Sequence, residues 1–302
     1  MASEERAQPT ISDPNEQAIR QLLDKEFSTT FSQMEITRLR SEQIEFIAKS
    51  IGLLTKRETD QEIYQSYLLL LSKLGSSTQI KFGEKIIESL PDSGFVVATN
   101  HLAMPKATRF SRHDLGEVIG DHQLLLQLPE EIEPFPVRHA AIAKTLGHQF
   151  NPHEVAIELP HPYKGVQSAS GVIVLPSALG GRFEIMTDCV KDLFVNEKNQ
   201  YVVTYPESGT TGKRGGGGLY GVKQEDFHTG FIRLAKTLQQ QLGRQIPIVI
   251  IGQVFHPEKG FLTGIMDPIT VNVLAEETEV KQTAANIQIR LSEIVNQLRF
   301  DQ

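Results

Sequence analysis

Two apolar runs in this chain stop abruptly at residues that could do chemistry. The first, Phe95-Val96-Val97-Ala98-Thr99, leads directly into Asn100 and His101. A strand of this kind delivers an imidazole to the carboxyl edge of a sheet, where open α/β folds place their ligand crevices. A neutral imidazole there can take the proton of an attacking hydroxyl, because its ordinary pKa lies near working pH. A histidine that merely caps the strand through a backbone hydrogen bond is the other reading of this feature.

The second run, Tyr201-Val202-Val203-Thr204, leads into Tyr205-Pro206-Glu207-Ser208-Gly209-Thr210-Thr211-Gly212-Lys213-Arg214. Small residues expose backbone N–H groups, and the hydroxyls and cations add donors, which suits a phosphate or another anion. It is not a P-loop. Gly209 and Gly212-Lys213 are too close together, and Arg214 stands where Ser or Thr would bind magnesium. A solvated basic turn is the alternative.

Other catalytic arrangements fail on spacing. Ser208 sits in Pro-Glu-Ser-Gly, so there is no GxSxG elbow, and no HExxH occurs. His148 and His153 could attract a metal, but Pro152 breaks a helical pairing and scattered surface histidines explain them. Cys189 falls in a helical pattern with Ile185, Met186, Val190 and Leu193, which predicts a buried structural thiol. No metal site is expected.

The elements that must position these residues follow from periodicity. Residues 1–14 are polar with Pro9 and Pro14 and read as a flexible tail. Residues 15–76 carry apolar residues at helical spacing without proline, which predicts a small N-terminal bundle of three or four helices, with a turn at Gly52 near Arg57–Asp60. Helices that simply extend the main domain are the alternative. From residue 77 to 302 short apolar runs alternate with helical stretches. Strands are expected at Phe95–Thr99, Gly171–Leu175, Tyr201–Tyr205 and Ile246–Val254. Helices are expected at about 138–147, 182–195 and 225–242, with a closing helix at Glu277–Leu298. The pattern predicts an α/β domain with a mixed, largely parallel sheet flanked by helices. Phe110 to Pro162 reads as a substrate-facing insertion or lid, and Gly215–Gly218 as a mobile loop.

Composition bounds the partners. The chain has 302 residues, 39% apolar and 22% charged, which is globular and long enough for one large domain or two. Thirty basic against 37 acidic residues give a formal charge of −7, so no whole-protein nucleic-acid footprint exists. A single cysteine excludes an internal disulfide and favours a reducing compartment. The N-terminus lacks the order of a secretory signal. The most apolar stretches, Tyr67–Leu71 and Ile246–Phe255, fall short of the roughly 20 residues that span a bilayer. A soluble, cytoplasmic protein is expected. The N-terminal helices are the candidate surface for any peripheral membrane contact.

The order of motifs carries more than any one of them. Strand-Asn100-His101, strand-Pro206-Glu207-x-Gly209-Thr210, Phe227-His228-Thr229-Gly230 at a helix start and the Pro247-led apolar strand together resemble the glycerolipid acyltransferase family. Gly83-Glu84, ahead of the His strand, fits the same pattern. The resemblance spans roughly residues 80–270, and the helical segment ahead of it is similar in architecture to the plastid-type glycerol-3-phosphate acyltransferases. It implies transfer of a fatty acyl group from acyl-CoA or acyl carrier protein, as co-substrate, to glycerol 3-phosphate or a related phosphate-bearing acceptor. No other cofactor is implied. His101 matches the general base. Asn100, Glu207, Ser208, Gly209 and Thr210, with Lys213 or Arg214, match the acceptor site, and Arg182 in Gly180-Gly181-Arg182-Phe183 is the counterpart of a further substrate arginine.

The chain departs from the pattern in one place that matters most. The family's base is followed, after four residues, by an Asp that orients the imidazole. That position is Lys106. Asp114 or Glu117 folding back from the next helix would supply the carboxylate. A site working without an orienting acid, or a non-catalytic lipid- or acyl-carrier-binding protein on the same fold, are the alternatives. An unrelated phosphate-binding α/β protein is a third reading, and it predicts His101 and Glu207 far apart.

Overall fold

The computed structural model describes residues 33–55, 60–101, 110–119, 131–132, 135–157, 163–175, 181–206, 227–256 and 259–300. Along the chain come α1 (Gln33–Thr55), α2 (Asp60–Leu74), β1 (Gln79–Phe82), α3 (Glu84–Ile87) and β2 (Phe95–Thr99). Then follow β3 (Phe110–Ser111), α4 (Arg112–Ile119), β4 (Glu131–Ile132), α5 (Phe135–Leu146) and β5 (Asn151–Ile157). The chain continues through α6 (Tyr163–Ala169), β6 (Val172–Leu175), α7 (Arg182–Asn196) and β7 (Gln200–Thr204). It closes with α8 (Gly230–Leu242), β8 (Ile248–His256), β9 (Gly260–Ile269) and α9 (Glu277–Phe300).

Seven of the strands form one sheet in the order β1-β9-β8-β2-β7-β5-β6. The run β8-β2-β7-β5-β6 is parallel throughout, and β9 turns back antiparallel against β8. Strands covered on both faces must be apolar on both, which is why β2 is buried at every position. Phe95, Val97, Tyr201, Val203, Val249 and Ile251 face Ile142 and Leu146 of α5. Val96, Ala98, Val202, Ile248 and Ile250 face the opposite layer, made by α7, α8 and α9. The sheet is the mixed, largely parallel one expected, flanked by helices and preceded by helices.

The α1–α2 pair is not held apart from this sheet. In α2 the buried residues Ile63, Tyr67, Leu70, Leu71 and Leu74 make one stripe at helical spacing. That stripe shares a core with Phe135, Ala140 and Ala141 of α5, Val172 of β6, and Phe255 and Phe261 of β8 and β9. Among the described residues no helix is long and apolar enough to cross a membrane.

Several local expectations change. Gly52 itself lies inside α1, which runs on to Thr55; of the turn expected at Arg57–Asp60, residues 57–59 lie outside the described residues and α2 begins at Asp60. The stretch read as a substrate-facing insertion instead contributes the buried helix α5 and a strand, β5, that pairs with β7 and β6 inside the sheet. Cys189 is exposed, because it sits beside the Thr187, Val190 and Phe194 stripe rather than on it. Strands β1 and β9 add to the strands expected. The first is a partly exposed edge, and the second is punctuated by Gly260, Gly264 and Pro268. Residues 15–32 and the Gly215–Gly218 run lie outside the described residues.

Gly83 shows why the Gly-Glu pair precedes the His strand. It has φ +82°, ahead of α3, and a Cβ there would collide with the Ile265 carbonyl of β9.

Candidate functional site

The site forms where β2 leaves the sheet between β8 and β7. Asn100 fixes that point. Its Oδ1 accepts from the Gln253 backbone N–H at 2.8 Å, and its Nδ2 donates to the Gln253 carbonyl at 2.8 Å. Gln253 Nε2 donates back to the Asn100 carbonyl at 3.2 Å. A side-chain amide thus continues the β2–β8 ladder past the last backbone pair, and His101 emerges from an immobile base.

His101 is 6% exposed. Its Nε2 lies 2.6 Å from Nη1 of Arg138, which reaches down from α5. A guanidinium has donors only, so Nε2 accepts and the ring proton resides on Nδ1. The other arm of the fork, Nη2, lies 3.9 Å from Oε1 of Glu154 on β5; the Glu154 side chain is buried and that of Arg138 partly so. The Tyr205 ring packs edge-on against His101 with centroids 5.1 Å apart, and the Arg138 guanidinium carbon stands 5.9 Å from the Tyr205 centroid. The Tyr205 hydroxyl is buried without a hydrogen-bond partner among the described residues.

Burial, and then the adjacent Arg138 charge, push the His101 pKa down to about 3. Arg138 thus holds the ring as a neutral acceptor. Burial, reinforced by Glu154, raises the Tyr205 phenol well above its usual range, with Arg138 opposing. Next to Arg138 on the same helix, His139 is fully enclosed. Its Nδ1 is 3.1 Å from the Tyr67 hydroxyl, and its ring meets Tyr201 edge-on. Burial first, then His153 and Arg138, lower its pKa to about 3.

Asp114 is occupied elsewhere. Its Oδ2 accepts from the Ser111 backbone N–H at 2.6 Å and the Ser111 hydroxyl at 2.9 Å, and the Ser111 hydroxyl is 3.4 Å from the Asp114 N–H. This is a reciprocal capping box opening α4. Its Oδ1 meets Arg40 of α1 at 2.6 Å. Burial alone would raise its pKa, but the Ser111 and Arg40 bonds outweigh that and lower it. Arg182 opens α7, on the sheet face opposite α5.

Glu207, Ser208, Gly209, Thr210, Lys213 and Arg214 lie outside the described residues, as does Lys106. The two flanks of the 207–226 segment are described. Pro206 follows β7 after Tyr205, and its carbonyl accepts from the His228 N–H at 2.7 Å. That segment is therefore rooted at the strand next to β2, with Tyr205 on the His101 ring.

Arg138 and Glu154 were not singled out as site residues. Their signal was a charge embedded in an apolar element: Arg138 in Phe-Pro-Val-Arg-His-Ala-Ala-Ile, and Glu154 in the strand ending Val-Ala-Ile. A charge enclosed in that way needs a partner. His153 has both ring nitrogens at carbonyl oxygens, Gly171 at 3.0 Å and Gln200 Oε1 at 2.7 Å. Among the described residues no cluster of three or more metal-ligating side chains occurs.

No protein-family model matches this sequence, and no curated protein matches it. Among solved structures, the crystal structure of the 1-acyl-sn-glycerophosphate (LPA) acyltransferase PlsC from Thermotoga maritima is similar in fold. The TM-score is 0.49 at 11% identity, over 93% of this chain and 98% of that one.

Proposed function

We propose that the chain is an acyltransferase of the glycerolipid type, moving a fatty acyl group from a thioester to the hydroxyl of a phosphate-bearing acceptor, with His101 as general base. The reading rests on residues rather than on the structural likeness. The observation that carries it is the placement of His101 at the carboxyl end of a central parallel strand, with the root of the Pro206-Glu207-x-Gly209-Thr210 segment against the ring through Tyr205. Glu207, Gly209, Thr210 and Lys213 or Arg214 are the proposed contacts of the acceptor phosphate. The acyl thioester is already activated, so the residues need only position the hydroxyl, accept its proton and stabilise the oxyanion.

A second reading is favoured by one specific observation. Nε2 of His101 is taken by Arg138 and the ring resists protonation, as befits a lipid- or acyl-carrier-binding protein that keeps the fold without turnover. Purified protein incubated with acyl-CoA or acyl-acyl carrier protein and glycerol 3-phosphate separates the two. Wild type should release thiol and form acylated product, and His101→Ala should lose at least about 10²-fold of that rate. Equal background release from both proteins rejects catalysis at His101 and leaves the binding reading.

A further inference from the structure

Asp114 is committed to Ser111 and Arg40, and the hydrogen bond described at a His101 ring nitrogen comes from Arg138. An orienting carboxylate selects the Nδ1–H tautomer by accepting from Nδ1. Arg138 selects the same tautomer from the other side, by donating to Nε2 at 2.6 Å. The two devices differ in one respect. A carboxylate leaves the Nε2 lone pair open, whereas Arg138 covers it.

We propose that Arg138 is the positioning residue of this site: it selects the Nδ1–H tautomer of His101 and covers Nε2 until the acceptor hydroxyl displaces it, with Glu154 holding the guanidinium through the exchange. This rests on the reading of His101 as the base. The geometry suits a short exchange. Nη2 stands 3.9 Å from Glu154 Oε1, about 1 Å beyond a close charge-assisted bond. A shift of the fork by about 1 Å towards Glu154 closes that pair and takes Nη1 beyond hydrogen-bond range of His101. Glu154, with its side chain 6% exposed, keeps a buried negative charge beside the guanidinium throughout.

In the exposed state the hydroxyl donates its proton to Nε2 while its oxygen bonds to the thioester carbonyl carbon. Collapse of the tetrahedral adduct breaks the carbon–sulfur bond, and the leaving thiolate takes the proton back from the imidazolium. Arg138 gives up no proton. It remains a cation beside the developing oxyanion, where such a charge lowers the barrier. Arg138 of α5 and Tyr205 beyond β7 face His101, and Glu154 of β5 stands on the far side of the guanidinium. Strand β8 contributes the neutral Gln253. The arrangement puts the acid limb of the transfer rate well below the ordinary histidine value of 6.5.

The contact can be read without turnover, by long-range proton–nitrogen correlation spectra of the full chain with 15N-labelled histidine, His101 being assigned through its loss in His101→Gln. Wild type should show a neutral Nδ1–H ring at pH 5. Arg138→Met should allow the Nε2–H tautomer and raise the His101 titration by at least about one pH unit. Because that variant removes the cation beside the buried Glu154, Arg138→Met combined with Glu154→Gln is the second protein to measure, and Arg138→Lys should retain the wild-type tautomer through its remaining donor. A wild-type Nε2–H ring overturns the proposal, as does an unchanged tautomer and titration in the folded double variant, whatever the transfer assay gives. The expected spectra together with equal acyl release from wild type and His101→Ala overturn instead the base assignment, and the exchange step with it.

Discussion

His101 and His139 are neutral for the same physical reason and share the same vulnerability. Each is enclosed, and each has a pKa of about 3 against an unfolded value of 6.5. The unfolded chain therefore binds protons between pH 6.5 and 3 that the folded chain refuses. Above pH 6.5 neither histidine affects stability. As the pH falls through that window each removes stability, at up to about 1.4 kcal/mol per pH unit. His139→Gln keeps a group that can meet the Tyr67 hydroxyl but removes one titration. We expect urea midpoints measured from pH 7 down to pH 4.5 to fall less steeply in His139→Gln than in wild type, by about 1 kcal/mol per pH unit below pH 6. Parallel curves for the two proteins would show that His139 already accepts a proton in the folded state. At this scale the sequence announced His101, because a polar imidazole closing an apolar run is conspicuous. It did not announce Arg138 as its partner. Thirty-seven residues separate them, and only the fold of α5 onto the sheet brings them together.

Among the elements, α4 shows how a carboxylate within a few turns of a candidate base can serve another need. A helix start leaves backbone N–H groups without partners, and Ser-x-x-Asp satisfies two of them reciprocally. Ser111 and Asp114 do this, so the Asp114 carboxylate, expected to fold back from this helix to His101, is spent at its own helix terminus. We expect Asp114→Ala to cost about 1 kcal/mol in thermal or urea unfolding, mostly from the lost cap. The Arg40 pair adds little because it is partly solvated. The His101 titration should not move. A shifted His101 titration in Asp114→Ala, with the fold intact, would instead give Asp114 a share in orienting the base. The central strands and long helices were legible from periodicity because they are covered on both faces or carry a continuous stripe. Strand β5 was not, since Asn151, Pro152, His153 and Glu154 supply polar and turn-like signals over a segment that the neighbouring strands β7 and β6 nonetheless pair on both sides. Tertiary pairing overrode local propensity there.

For the whole molecule the open question is whether the helices before residue 77 form a unit of their own. Tyr67 answers for the packing. It is 1% exposed, with ring contacts to Phe46 of α1 and to Phe135 and His139 of α5, and its hydroxyl reaches His139. The α1–α2 layer thus backs the helix that carries Arg138, and Phe255 and Phe261 extend the same core into the sheet. Units that share a core unfold together. We expect Tyr67→Leu to lower stability by about 1–3 kcal/mol and to shift one common transition. The chain has no tryptophan, so far-UV circular dichroism would follow the helices and the His101 ring signal would follow the site. Both should move to the same lower denaturant midpoint. If helical signal is lost first while the His101 signal keeps its wild-type midpoint, the helices are a separable domain, and the positioning of Arg138 does not depend on them.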